Sequence, residues 1–171
     1  MESTYITALK KIIAELTEVL QSFSAEELNR IPYKGSWSAA QVADHVIKSC
    51  AGLPKILAGG SIATQRDPEE NVQKIESIFL DFTTKMQSPE FILPADKFFK
   101  SENLQHALNK LLDEIVMVSA LKDLNRTYTD FPFPKMGFFT GKEWLCFALA
   151  HTTRHLRQIK NIHKCVQVMH Y

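Results

Sequence analysis

The sequence predicts an all-α protein, a four-helix bundle with an additional intermediate helix. Apolar residues recur at spacings of three and four along several long stretches. Two of these stretches open on a Ser/Thr followed three residues later by Gln or Glu, the reciprocal cap that satisfies orphan backbone donors at a helix start. No stretch alternates convincingly enough to compete as a strand.

The first helix is expected from Thr4 to about Gln21, through Tyr5, Ile6, Leu9, Ile12, Ile13, Leu16, Val19 and Leu20. Ser24-Ala25-Glu26-Glu27 starts a short turn of helix, broken before Pro32. Ser38 and Gln41 form a capping box that opens the second long helix, which carries Val42, His45, Val46, Ser49 and Leu53 on one side. It is expected to end near Gly59-Gly60, with Pro54 forcing a kink or an earlier stop. Asp67-Pro68-Glu69-Glu70 supplies a cap, a first-turn proline and two first-turn acids, so the intermediate helix should run to about Met86.

The segment from Ser88 to Lys100 holds Pro89 and Pro94 but is too apolar to be a floppy linker. Ser101 is expected to cap a helix running through Leu104, Leu108, Leu111, Leu112, Ile115, Val118 and Leu121. An extended aromatic loop follows, with Phe131, Phe133, Phe138 and Phe139, read as core or as the rim of a pocket, with core expected for most of them. Thr140 and Glu143 then cap the last helix, which has no later Gly or Pro.

With 171 residues, 45% hydrophobic and 23% charged, one domain spanning residues 1–171 is the expectation. The net charge of +1 and the lack of a Lys/Arg block argue against nucleic acid as a partner. No apolar run reaches the ~18 residues of a membrane span. Met1-Glu2-Ser3-Thr4 lacks the features of a signal peptide, so a cytoplasmic protein is expected. Cys50, Cys146 and Cys165 are widely spaced without a CxxC pair, which reads as buried thiols.

His151 and His155 lie four apart on the last helix, so their rings leave the same face. A helical pair of this kind is compatible with a solvated face or with chelation of one divalent ion. The stripe it belongs to, Trp144, Ala148, His151, His155, Ile159 and Ile162, is the apolar one. His45 is a third candidate ligand. At ~1.5 Å per residue it reaches the height of the pair if its helix runs antiparallel to the last one.

Taken together, Trp37-Ser38, the histidine eight residues after the tryptophan, and the late His-x-x-x-His resemble the DinB-like, YfiT-type superfamily. The resemblance implies a bundle that dimerises and a three-histidine divalent metal site, with His45 matching the second-helix ligand and His151 and His155 the last-helix pair. It further implies a metal-dependent hydrolase, or a transferase of a low-molecular-weight thiol such as bacillithiol or mycothiol, acting on a small molecule. Zinc and nickel both suit imidazole ligands. No catalytic residue is assigned: the run between His151 and His155 lacks the Glu of His-Glu-x-x-His, and Asp44 points ~100° away from its neighbour His45 and reads as solvated. The alternative is a non-catalytic metal-binding and dimerisation module. His106, His163 and His170 are read as surface or terminal residues, with the helix fraying near His163.

Overall fold

The computed structural model describes residues 3–168. Helix α1 spans Thr4–Gln21 and α2 spans Ala25–Asn29. The stretch expected to be one long helix is two, α3 (Ala39–Cys50) and α4 (Leu53–Ala58). The break falls at Ala51-Gly52, which places Pro54 in the first turn of α4, where its missing N–H costs nothing. The chain continues through α5 (Val72–Phe79), α6 (Ser101–Leu121) and α7 (Gly141–Val168).

Both predicted capping boxes are present. Ser38 Oγ accepts from Gln41 N at 3.2 Å while Gln41 Oε1 accepts from Ser38 N at 3.0 Å. Thr140 and Glu143 exchange the same two bonds at 3.2 and 2.9 Å. Ser24 and Glu27 form a third box at the start of α2.

The long helices pack α1 on α6 and α7, and α3 on the same two. Their mutually facing apolar stripes, among them Leu16, Leu20, Val42, Leu108, Leu145 and Ile159, form the core. Ser101 Oγ donates to Leu20 O, so α6 starts where α1 ends. Lys122 donates to Ala58 O, and Lys142 N bonds Leu124 O, so α4 and α6 finish where α7 begins. The α3–α4 segment therefore ends near the start of α7, the arrangement that brings His45 level with the α7 pair.

Several expectations need correction. Helix α5 stops at Phe79 rather than near Met86, because Asp81 captures the Thr83 N–H at 2.9 Å together with the hydroxyls of Thr83 and Thr84. Ser101 does not cap α6; Lys100 is the capping position, and the Ser101 hydroxyl is turned to Leu20. Among the four loop phenylalanines Phe139 is fully buried and Phe133 half-buried, while Phe131 and Phe138 are exposed. Helix α7 passes through His163 without fraying, and His170 lies outside the described residues. Cys50 and Cys146 are buried thiols as expected, both pushed up to about 12 by burial; Cys165 is exposed.

A minimal antiparallel ladder pairs β1 (Ser61–Ile62) with β2 (Thr127–Tyr128), an element the sequence did not predict. Two residues per strand are too few for an alternating pattern to register. No helix among the described residues is long and apolar enough to cross a membrane.

Candidate metal centre

His45, His151 and His155 come together. Each is buried, with 2%, 5% and 8% of its surface exposed, and one nitrogen of each ring lies within 4.8 Å of the other two. His151 Nε2 stands 3.2 Å from His45 Nε2 and 3.1 Å from His155 Nε2. Three nitrogens bound to one zinc at 2.0–2.1 Å in a tetrahedral arrangement are separated by about 3.3 Å. The spacing of the pairs is thus close to that of a coordination shell.

The other ring nitrogens decide the tautomers. His45 Nδ1 is 2.8 Å from Ile92 O, which can only accept, so Nδ1 carries the proton and Nε2 presents a lone pair. His155 Nδ1 likewise faces Gln158 Oε1 at 2.8 Å. His151 Nδ1 is buried without a hydrogen-bond partner. A proton on it would be an orphan donor, with three lone pairs left facing one another. A proton on Nε2 would satisfy one neighbour and leave Nδ1 an unmatched acceptor. Either tautomer leaves a cost that a cation among the Nε2 atoms reduces, and the donor set therefore fits a divalent ion.

Electrostatics favour the same state. Burial lowers the pKa of all three rings, with backbone contact to Ile92 partly opposing it at His45. His151 falls well below the usual histidine range, through burial first and then its two histidine neighbours. Burial, then the charge of His45, takes His155 to about 4. All three are neutral imidazoles near neutral pH, the form that ligates metal.

The connector after α5 is what fixes His45. Ile92 lies in a 3₁₀ turn (Glu90–Ile92), and α3 grips the backbone around it. Lys48 donates to Leu93 O at 2.8 Å, and Asp44 accepts from Ala95 N at 2.9 Å while pairing with Lys48 at 3.0 Å. Asp44 is therefore not a solvated carboxylate, and it turns away from the cluster as its helical position requires. Trp37 packs its ring 5.1 Å from that of His45. On the α7 side, Phe147 and Phe79 approach His151 at 5.3 and 5.8 Å.

The cluster opens on a cavity of about 870 Å³, walled by aromatic side chains and by the segment after α5. That size suits a small organic molecule. Arg154 holds the segment in place by donating to the carbonyls of Phe79, Asp81 and Thr84. Sequence reasoning missed Arg154, Gln158 and Ile92. Only Gln158 left a local signal, at three residues from His155 on the same helix. His106 is exposed on α6, and His163 packs against Phe23 at 4.4 Å, so neither joins the cluster.

A long helical chain with three buried histidines, two of them i,i+4 on its last helix, falls into a known class. The model of the DinB superfamily matches residues 8–159, and the chain belongs to that family. A curated relative, the uncharacterized protein YuaE of Bacillus subtilis (strain 168), is 26% identical over 155 residues, covering 86% of this chain and 90% of its own length. No solved structure matches.

Proposed function

We propose that His45, His151 and His155 hold one divalent ion through their Nε2 atoms, and that the protein is a metal-dependent hydrolase or low-molecular-weight-thiol transferase acting on a small molecule in the adjoining cavity. The observation that carries this reading is the convergence of three neutral Nε2 donors at the wall of a cavity of about 870 Å³. Zinc or nickel suits the all-imidazole donor set. A bound ion supplies Lewis acidity, lowering the pKa of a bound water or thiol toward neutrality.

The chain's own residues do the rest. Ile92 O and Gln158 Oε1 each hold an Nδ1 proton and so aim the opposite nitrogen inward. Phe79 and Phe147 pack beside His151 and keep bulk water from that side. Among the described residues the cavity wall carries no Asp or Glu, so a carboxylate base is not at hand. That absence favours thiol transfer over peptide hydrolysis, and it also supports a second reading, a non-catalytic metal-binding and dimerisation module. The scaffold is proposed to be one four-helix-bundle domain of α1, α3, α6 and α7, paired as a cytoplasmic homodimer.

The test is metal stoichiometry for the wild type and for His45→Ala, His151→Ala, His155→Ala, His106→Ala and His163→Ala. The first three should lose most metal affinity and the last two should retain it. Full occupancy in His45→Ala would overturn the assignment. Metal-dependent turnover of thiol conjugates or simple esters, abolished by His45→Ala, separates the enzyme from the binding module.

A further inference from the structure

The cavity wall carries charge of one sign. Its charged residues, among those described, are Lys85, Arg154 and Arg157. The chain as a whole has 20 Lys and Arg against 19 Asp and Glu, so a wall this large without a carboxylate departs from the composition that supplies it. No ion pair among the described residues includes any of the three cations. Arg154 uses its N–H groups on backbone carbonyls, which orient it but leave its charge uncompensated.

Exposure orders the wall from mouth to floor. Lys85 and Arg157 are exposed, and the Arg157 guanidinium carbon lies 4.3 Å from the centre of the Phe82 ring. That contact holds the guanidinium in place and leaves N–H groups free for a carboxylate. Phe133 is half-buried, and Phe147 and the three histidines are buried. An apolar-walled concavity with cations at its mouth concentrates their field on whatever enters.

We propose that the cavity selects a small amphipathic carboxylate, its anionic end held at the mouth by Arg157 and Lys85 and its aromatic or aliphatic body lying along the phenylalanines toward the histidines. The inference rests on this cavity being the substrate site proposed above. It adds the substrate's charge and polarity, and it assigns specificity to two residues outside the metal cluster.

The experiment is calorimetric titration of the full chain with phenylbutyrate, its primary amide and phenylbutylamine, once with chelator and once with one equivalent of zinc. Phenylbutyrate should bind about tenfold more tightly than the amide in both states, and the amine most weakly. The double variant Arg157→Gln/Lys85→Gln should reduce that preference to about twofold, with zinc stoichiometry and helical circular dichroism unchanged. Equal binding of acid and amide, no binding of any probe, or a preference that survives the double variant overturns the proposal. A preference seen with zinc alone assigns the carboxylate to the metal, so this inference fails while the metal reading stands. A preference in a protein that takes up no zinc has the opposite meaning: the metal reading fails and the anion site remains.

Discussion

Arg66 grips the fully buried carboxylate of Glu143 at two points, 2.6 and 2.7 Å, from 77 positions earlier in the chain. Glu143 also accepts from Thr140 N and Asn71 N, each at 2.9 Å, so one side chain caps α7, anchors the start of α5 and compensates an arginine. Thr140 completes the knot by donating its hydroxyl to Pro68 O at 2.6 Å. This junction fixes the start of the helix that carries two of the three histidines.

Removing either partner of the pair should destabilise the fold unequally. Arg66→Met leaves a buried carboxylate without its counter-ion and should cost about 3–5 kcal/mol. Glu143→Gln leaves an arginine that is already 26% exposed and can hydrate, so about 1–3 kcal/mol is expected. Urea titrations of the two variants check the order, and a larger loss for Glu143→Gln would contradict it.

The metal-free protein should lose stability as the pH falls from about 6.5 toward 4. Burial depresses the folded-state pKa of all three histidines, so in this window the unfolded chain takes up protons that the folded chain refuses. His155 alone, going from 6.5 to about 4, accounts for roughly 3 kcal/mol across that interval. Burial also raises the Glu143 carboxyl, but Arg66 and the Thr140 and Asn71 amides outweigh it, and the net shift is downward. Its contribution is present above the ordinary glutamate range and is lost at still lower pH, as it becomes protonated. Melting temperatures in chelator should fall through the window, and His155→Gln should flatten the slope.

Gln158→Leu removes the acceptor that fixes the His155 tautomer. Losing the hydrogen bond that orients a metal-ligating histidine typically costs about 10–100-fold in metal affinity. Competition with a chromogenic chelator should show that drop without a matching change in circular dichroism. Affinity equal to wild type would mean that packing alone orients the ring.

What could be read in the sequence was local. The Ser38–Gln41 and Thr140–Glu143 boxes are three-residue relationships, and the meeting of His151 with His155 follows from one turn of helix. Helix rise matched His45 to the height of the pair only on the condition that its helix ran antiparallel, and its role as a ligand came from the family resemblance. Arg66 sits in a loop without periodicity, so its bond to Glu143 leaves no trace in residue spacing. The early end of α5 was hidden for a similar reason. Phe82 and Met86 continue the apolar period, but the Asp81 turn and the long-range bonds from Arg154 prevail, leaving both side chains exposed. Cys165 could not be distinguished from a core thiol by residue type alone.

Arg154 offers a test of how the cavity wall is held. It projects from α7 between the two histidines, and its bonds to the carbonyls of Phe79, Asp81 and Thr84 are the cross-links that join α7 to the backbone just after α5. Residues 82–87 are exposed along their whole length and have few apolar contacts of their own. Segments of that kind open at low free-energy cost once their tethers are removed. Arg154→Gln should therefore speed exchange of the segment's hydrogen-bonded amides, Leu80 and Thr83, by about tenfold or more, corresponding to at least 1.4 kcal/mol of lost local protection. Exchange in α3 and the middle of α6 should stay at the wild-type rate, because neither contributes to these bonds. Metal stoichiometry should also be retained, since the guanidinium makes no bond to His45, His151 or His155. Hydrogen-exchange mass spectrometry resolves the segment, and unchanged protection there would show that the wall is held by packing rather than by Arg154.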